Sequence, residues 1–292
     1  MMTEGHFLKA ADLKKNIKEK LEEAGIQDAD AEVRLLLKAY AGITEADIYA
    51  DPDILIPSEE ALISINEALD KRCRHIPLQH ILGKTCFMGF DFNTPPGALI
   101  PRPDTEILVE EVLRDYHEGC KILDLCTGTG CIITSLMALT GDCIGTGTDI
   151  SEDALAIARE NAHLILGDKK KLPDFRKGDL YEALDDGILY DIIVSNPPYI
   201  KSGDIENLMP EVKDHDPLIA LDGGSDGLDF YKRIISGARA HMIKGGEIFL
   251  EIGFDQASDV TGLLEANGFK YTKVIKDYSG NDRVVRAVSP VL

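Results

Sequence analysis

The sequence has little positive charge. Lysine and arginine number 31 against 51 acidic residues, which gives a formal net charge of -20. Such an excess of carboxylates repels a phosphate backbone unless a local basic patch overrides it. Nucleic acid is therefore a disfavoured substrate, although charge alone does not exclude it.

Long apolar runs are also missing. No stretch approaches the roughly 20 consecutive apolar residues that span a bilayer, and residues 1–16 include polar residues where a signal peptide would need its apolar segment. The 292 residues are nevertheless 44% apolar, which is enough for an ordinary core. We expect a cytoplasmic monomer with no membrane contact.

Paired metal-binding motifs are absent. The six cysteines form no C-x-x-C pair and match no histidine spacing, and the seven histidines do not cluster. We predict free, mostly buried thiols and no metal site. The cysteines are Cys73, Cys86, Cys120, Cys126, Cys131 and Cys143.

Helical patterns alone occupy the first part of the chain. Apolar residues recur at helical spacing from Leu13 to Leu21. Gly25 and Gly42 are typical helix stops, and Ser58 is a typical helix cap. We predict a small helical domain over residues 1–76.

A different pattern follows. Phenylalanines surround Gly89 in a short β-like stretch, and four prolines come after it, between residues 95 and 103. Aromatic residues around a glycine favour a hairpin, and closely spaced prolines stiffen the chain. We predict a β-hairpin and a proline-rich connector over residues 77–104.

Strand and helix patterns alternate across residues 105–292. Such alternation is typical of an α/β domain in which helices cover both faces of a parallel sheet. We predict helices over 105–113, after the loop at 126–130 and from Glu152 to about Ala162. The predicted strands are 121–125, 144–150, 191–195, 247–252, 270–275 and 284–288.

The segment Ile122–Gly130 ends a strand in an acidic residue and passes through a turn of small residues into a helix. Such a turn lets a ligand approach the backbone and points free N–H groups at it. Any tight strand-to-helix turn in a doubly wound fold also favours glycine, so this segment alone is ambiguous.

Asp149 favours the ligand-binding interpretation of this loop. It ends the next strand, about 20 residues further on, where a carboxylate can accept hydrogen bonds from both ribose hydroxyls. A helix N-terminal acid is the alternative, but Ser151 already supplies a cap. At this loop neither a full G-x-G-x-x-G nor Gly-Lys-Ser/Thr occurs. A cofactor that carries adenosine without phosphates fits best, which indicates S-adenosylmethionine.

The turn Asn196–Tyr199 follows a predicted strand, so it lies at the same carboxyl edge of the sheet. Its two prolines make it rigid and leave carbonyl acceptors exposed. The Asn196 Oδ1 atom and the Pro197 carbonyl can accept both N–H bonds of an amide NH2 group while Tyr199 stacks on its plane. A surface turn with polyproline character is the alternative.

An amide nitrogen is a poor nucleophile because its lone pair is delocalised into the carbonyl group. The enzyme must therefore aim it at the methyl carbon. An N-alkylated amide loses its extra proton readily, so a neutral asparagine suffices and no general base is required.

At these residues the chain resembles the class I methyltransferases, and more narrowly the HemK/PrmC family of peptide chain release factor glutamine N5-methyltransferases. The likeness covers nearly the whole chain. It is carried by Pro77-Leu-Gln-His-Ile-Leu-Gly83, Ile100-Pro-Arg-Pro-Asp-Thr-Glu106, Ile122 to Gly130, Asp149-Ile-Ser151, Val194-Ser-Asn-Pro-Pro-Tyr-Ile200, Ala220-Leu-Asp-Gly-Gly224, Gly227-Leu-Asp-Phe-Tyr231, Glu251-Ile-Gly253 and Asp282-Arg-Val284.

The resemblance implies a Rossmann-like mixed sheet, mostly parallel with one antiparallel strand. It implies that S-adenosylmethionine is converted to S-adenosylhomocysteine, and that the glutamine of a release factor's Gly-Gly-Gln loop is the acceptor, with the helical domain helping to dock that partner. The expected cofactor residues are Asp124, Cys126, Thr127, Gly128, Thr129, Gly130, Asp149, Ile150, Asp179, Leu180 and Asn196. The expected substrate residues are Arg102, Asn196, Pro197, Pro198 and Tyr199, of which Asn196, Pro197 and Tyr199 are catalytic.

Four positions depart from the family pattern. Cys126 replaces a usual glycine, and Leu180 stands where some members place an aromatic residue beside adenine. His80 and Asp104 replace a common tyrosine and glutamate. Leu180 can still pack on adenine, and the Asp179 carboxylate can meet its amino group.

Three further polar residues need an interpretation, and two of them have two. Arg102 is either a structural tie or a residue that orders the substrate loop. Asp124 and Glu251 are strand-end acids that can cap neighbouring helices, and Asp124 can instead contact the amine of the cofactor.

Two other functions remain open. Adenine-N6 methyltransferases use a related Asn/Asp-Pro-Pro-aromatic turn, but they act on a flipped or unpaired base, and the charge of -20 disfavours that substrate. A protein-binding module with a vestigial pocket is disfavoured because the turn and the cofactor motif are both intact.

Overall fold

The computed structural model describes residues 8–168 and 171–291. The chain divides into two compact units. The first contains residues up to Gly83 together with Pro210–His215, and the second contains Lys84–Met209 and Asp216–Leu292. No helix among the described residues has both the length and the apolar character that crossing a membrane requires.

The helices and strands have the following bounds. The helices are α1 (Ala10–Glu23), α2 (Ala29–Ala41), α3 (Glu45–Ala50), α4 (Glu59–Arg72), α5 (Leu78–Leu82), α6 (Glu106–Asp115), α7 (Cys131–Thr140), α8 (Glu152–Leu166), α9 (Pro210–Lys213), α10 (Asp229–Ala238) and α11 (Ala257–Ala266). The strands are β1 (Lys84–Phe87), β2 (Phe90–Asn93), β3 (Lys121–Leu125), β4 (Ile144–Asp149), β5 (Asp174–Lys177), β6 (Tyr190–Ser195), β7 (Met242–Glu251), β8 (Lys270–Lys276) and β9 (Asp282–Val288). Short 3-10 turns cover Pro103–Thr105, Leu180–Ala183, Ser202–Asn207 and Leu218–Ala220.

The first unit is helical. Gly25 and Gly42 have φ angles of 80° and 68° just after α1 and α2, and the Ser58 hydroxyl accepts the Ala61 N–H at 3.1 Å at the start of α4. These features agree with the prediction. The sequence reasoning missed α3, because none of its residues is buried and its signal is a capping box between Thr44 and Asp47.

A buried ion-pair cluster holds α9 in the first unit. Arg72 is only 5% exposed, and its guanidinium contacts Glu32 at 2.7 Å and Glu211 at 2.9 Å. His75 Nδ1 lies 3.0 Å from the same Glu211 carboxylate. The cluster explains why this segment, which is distant in sequence, belongs with the helical unit.

The second unit is built on a seven-stranded sheet with the order β5-β4-β3-β6-β7-β9-β8. Strands β3 to β7 pair in parallel, and β9 runs antiparallel to both of its neighbours. This confirms the predicted mixed sheet with one antiparallel strand. The sequence reasoning missed β5 because this edge strand has no fully buried residue.

Two apolar clusters cover the two faces of the sheet. Along β3, Ile122 belongs to one cluster and Leu123 to the other, because successive strand residues face opposite sides. The predicted hairpin is present as β1 and β2. The rings of Phe87 and Phe92 meet edge to face at 5.9 Å within the first of these clusters.

Several element bounds differ from the prediction. The strand expected over 247–252 extends back to Met242, across Gly245 and Gly246, and its pairing register shifts beside Tyr190. The helix expected to end near Ala162 continues to Leu166. The predicted division at 76 and 104 stays a prediction, and residues 1–7, 169, 170 and 292 of the predicted domains lie outside the described residues.

Candidate active site

A cleft opens at the carboxyl edge of the sheet, where β3, β4 and β6 end. Its empty volume, including the open mouth, is about 1040 Å³. The cleft is lined by residues 97–102, Thr105, 126–129, Cys131, Ile132, 148–151, Ala154, 178–180, Asn196, Pro198, Pro217, Ile219, Ala220, Phe230 and Arg233.

The loop after β3 forms the floor of this cleft. Cys126 has a φ angle of 58°, in the left-handed region, and Gly130 has 74°. The Thr127 N–H donates to the Thr148 carbonyl at 3.0 Å, which ties the loop to β4. A non-glycine residue in this conformation costs roughly 1–2 kcal/mol, so Cys126 carries strain that a glycine would avoid.

Asp149 organises the same loop. One of its oxygens accepts the Gly128 N–H at 2.9 Å, and the other accepts the Ser151 N–H at 2.9 Å. Burial raises its pKa, and these hydrogen bonds oppose the rise. Ser151 caps α8 through the Ala154 N–H, as predicted. Asp149 therefore has a structural role in addition to the ribose contact that its position predicts.

Asp124 lies beneath the loop and is fully buried. The Thr127 hydroxyl donates to it at 2.5 Å, and the N–H of Ile133 in the first turn of α7 also bonds to it. Burial raises its pKa to about 7. Asp124 does not line the cleft, and these contacts favour the helix-capping interpretation.

Negative charge surrounds the Cys126 thiol. Burial is the main cause of its raised pKa, and the carboxylates of Asp149, Asp124 and Asp179 raise it further. The thiol is therefore protonated and unreactive at neutral pH.

The far wall of the cleft is formed by Asp179, Leu180 and two residues of α10. The Arg233 guanidinium pairs with Asp179 at 2.7 Å and lies 5.8 Å from the centre of the Phe230 ring. Leu180 has a φ angle of 53° and is 6% exposed. The sequence reasoning missed Phe230 and Arg233, although Phe230 lies within one of the quoted motifs.

The Asn196–Tyr199 turn lies at the cleft, but its four residues face different surroundings. Asn196 and Pro198 line the cleft, whereas the lining residues do not include Pro197 or Tyr199. The Asn196 Nδ2 atom donates to the Thr105 hydroxyl at 3.2 Å. Tyr199 packs against the core, so the ring stacking that the sequence suggested stays a prediction.

Residues 97–102 and Pro217, Ile219 and Ala220 also line the cleft. Arg102 pairs with the buried carboxylate of Asp216, which joins the two segments and supports the structural-tie interpretation. Of the first segment, only Arg102 was expected at the site. Its proline pattern indicated stiffness, and nothing in the sequence indicated which ligand it faces.

The lining residues fit S-adenosylmethionine. The ligand has a positively charged sulfur and an amine, which suit the lining carboxylate of Asp149. The small residues of the strand-to-helix turn let its carboxylate approach the backbone closely. Leu180 and Ile150 supply apolar surface for an adenine ring.

The sheet order, its single antiparallel strand and a cleft at the carboxyl edge define a class I methyltransferase. A solved methyltransferase from Pyrococcus furiosus shares the fold, with a TM-score of 0.54 at 20% identity over 76% of this chain and 99% of that one. The chain belongs to the release factor glutamine methyltransferase family.

Relatives that align with this chain over most of their length support the family assignment. The release factor glutamine methyltransferase of Geobacter sulfurreducens is 40% identical, over 91% of each chain. That of Cereibacter sphaeroides is 39% identical, over 97% of this chain and 99% of the relative. Residues 12–83 match the PrmC N-terminal domain, and residues 103–212 match the methyltransferase small domain.

Proposed function

We propose that this protein transfers a methyl group from S-adenosylmethionine to the side-chain amide nitrogen (N5) of the glutamine in the Gly-Gly-Gln motif of peptide chain release factors. The supporting observation is Asn196, which lines the cleft while its amide nitrogen is occupied by Thr105. The oxygen that remains is an acceptor, which is what an incoming amide NH2 group requires. Release factors act on ribosomes, so the proposed location is the cytoplasm.

The cofactor residues in this proposal are those of the loop and the strand ends. Backbone groups of Cys126 to Gly130 and the carboxylate of Asp149 hold the ligand, with Ile150, Asp179 and Leu180 beside the adenine. Asp124 supports the loop from below through Thr127. When bound, S-adenosylmethionine supplies a methyl group on a positively charged sulfur.

The substrate residues in this proposal aim a weak nucleophile. Asn196 Oδ1 and the Pro197 carbonyl accept the two N–H hydrogens of the glutamine amide, while Pro198 and Tyr199 keep the turn rigid. The Tyr199 carbonyl is itself held by Gln256 Nε2 at 3.0 Å. Arg102 joins two segments of the cleft lining through Asp216. Orientation of this kind can supply several kcal/mol of the barrier reduction.

Partner recognition completes the proposal. Residues 1–76, predicted to form the helical domain, help to dock the release factor, and the enzyme works as a monomer that takes no nucleic acid. The family assignment supports the substrate, and the net charge of -20 argues against a phosphate backbone.

The test is transfer of labelled methyl from S-adenosylmethionine to a recombinant release factor. A release factor variant with alanine in place of the motif glutamine is the matched control, with DNA and RNA assayed in parallel. We expect label on the native release factor and none on the variant. Label on nucleic acid alone would support adenine-N6 methylation instead, and equal label on both release factors would exclude the motif glutamine as the acceptor.

A further inference from the structure

A buried polar chain runs from Asn196 at the cleft through Thr105 to Glu251, which does not line the cleft. Glu251 ends β7, next to the end of β6, and Thr105 precedes α6. Glu251 and Thr105 are each 2% exposed. The distances between these residues in the sequence are large, so the sheet and α6 bring the three side chains together.

The contacts within this chain are specific. Asn196 Nδ2 donates to Thr105 Oγ1 at 3.2 Å, and the Glu251 carboxylate is hydrogen-bonded by Thr105 and Asn196. Asn196 and Thr105 line the cleft, whereas the lining residues do not include Glu251. Glu251 can therefore act on a ligand only through its neighbours.

The chemistry of the three groups sets the direction of the chain. An ionised carboxylate only accepts hydrogen bonds, so the Thr105 hydroxyl donates its single proton to Glu251. The hydroxyl oxygen then accepts a hydrogen from the amide NH2 group of Asn196. The Asn196 oxygen is left for the cleft.

We propose that Glu251 is a positioning residue that, both directly and through Thr105, fixes the Asn196 side chain with its oxygen toward the substrate amide. This inference rests on the proposed function, because only an acceptor facing the cleft orients an incoming NH2 group. If the Asn196 amide were reversed, its NH2 group would oppose that of the substrate, and two donors cannot bond to each other.

Protonation of Glu251 reverses the direction of these hydrogen bonds. Burial raises the pKa of Glu251 to about 7, and the bonds from Thr105 and the charge of Arg283 oppose that rise. A protonated Glu251 can donate to the Thr105 hydroxyl, which is then free to donate to the Asn196 oxygen. The charged and titratable groups that face Glu251 are Arg283 on β9, Asp104 before α6, Tyr199 after β6, Tyr231 on α10 and Cys131 on α7.

The test compares Thr105→Val, Thr105→Ser and Glu251→Gln with the native enzyme. Single-turnover methylation of a release factor at saturating S-adenosylmethionine gives the rate of transfer, and calorimetry gives S-adenosylhomocysteine affinity. Valine keeps the shape of threonine without its hydroxyl, and serine keeps the hydroxyl. Thermal unfolding shows whether each variant is folded.

We expect Thr105→Val to slow transfer roughly 30-fold or more, the scale of a lost orienting contact, and Thr105→Ser to stay near the native rate. S-adenosylhomocysteine affinity should stay within about three-fold in both, since neither change touches a group assigned to the cofactor. The native rate should fall as pH is lowered through about 7. That limb of the profile should be absent from Glu251→Gln, whose side chain does not titrate.

Two results would overturn the inference. One is a native transfer rate in folded Thr105→Val, and the other is an unchanged low-pH limb in Glu251→Gln, which would assign the titration to another group such as Asp124. If Glu251→Gln does not fold, the valine and serine variants still decide. If the native enzyme itself leaves the release factor unlabelled, the proposed function fails instead.

Discussion

Asn196 is the residue on which the proposed reaction depends most directly. It lines the cleft, and its nitrogen is engaged by Thr105. We predict that Asn196→Ala lowers the transfer rate by about 100-fold or more, the scale of a lost orienting contact. S-adenosylhomocysteine affinity, measured by calorimetry, should stay within several-fold. An equal loss of cofactor affinity would show that Asn196 mainly holds the cofactor.

Asp149 carries a second prediction. We expect Asp149→Asn to weaken S-adenosylhomocysteine binding by about 1.5 to 3 kcal/mol, the scale of lost charge-assisted hydrogen bonds. Part of this loss arises in the loop, because an amide NH2 group would face the N–H of Gly128 or Ser151. The matched control is Asp153→Asn, which removes a charge from an exposed position in the first turn of α8, the helix that follows Asp149. An unchanged dissociation constant for Asp149→Asn would remove this residue from the site.

Asp124 makes stability depend on pH. Burial raises its folded-state pKa to about 7, so the folded protein holds a proton that the unfolded chain releases near pH 4. The resulting stabilisation is present below about pH 4 and is lost as pH rises through about 7. Asp124→Asn cannot titrate, so its melting temperature should exceed the native value by more at pH 8 than at pH 4.5. A gap that is constant across this range would contradict the raised pKa.

The sequence allows some of these residues to be predicted and hides others. Asp149 and Asn196 follow recognisable strands, so their place at the carboxyl edge can be derived from chain order alone. Arg233, Phe230 and the Glu251 contacts depend on how distant elements pack, and no local pattern reports that. The left-handed conformation of Cys126 agrees with the glycine that the family usually has at this position.

At the scale of elements, a second backbone segment supports the Asn196–Tyr199 turn. The Gly223 N–H donates to the Ile200 carbonyl at 2.8 Å, and Ile200 pairs with Asp222 in an isolated parallel bridge. A Cβ atom on Gly223 would lie 2.8 Å from Tyr199 Cα and 2.9 Å from the Pro198 carbonyl oxygen. There is no space for a side chain between these two backbone segments.

We therefore predict that Gly223→Ala pushes the turn out of place. Turnover should fall about 10- to 100-fold, because small misplacements of positioning groups are costly, and stability should fall by about 1–3 kcal/mol from overpacking. The control is Gly203→Ala, where a Cβ atom would meet nothing within 4 Å. Steady-state kinetics and thermal unfolding check both variants. Native turnover in Gly223→Ala would mean that the turn tolerates displacement.

Most elements with a buried stripe were predictable. Among the elements without one, β8 was predicted, whereas α3 and β5 were missed. Strand β3 was predicted with its observed bounds because four of its five residues are buried. Helix α3 and strand β5 have no fully buried residue, so hydrophobic periodicity carries no signal for them. Helix α8 ends four residues later than predicted, because the predicted helical pattern did not include Leu164 and Ile165.

At the scale of the whole molecule, alternating strands and helices gave the sheet class, and family resemblance supplied the antiparallel strand. The assignment of residues 210–215 to the helical unit was not predicted. It depends on the Arg72 cluster, whose partner Glu211 is distant in the sequence. A pairing between charged residues so far apart leaves no periodic signal.

The most direct test of the central claim is a crystal structure of the protein with S-adenosylhomocysteine and a peptide that contains Gly-Gly-Gln. We predict that the glutamine nitrogen lies about 3 Å from both Asn196 Oδ1 and the Pro197 carbonyl oxygen, with its free face toward the sulfur atom. An Asn196–Tyr199 turn that faces away from the sulfur, with no space for a carboxamide between them, would contradict the account.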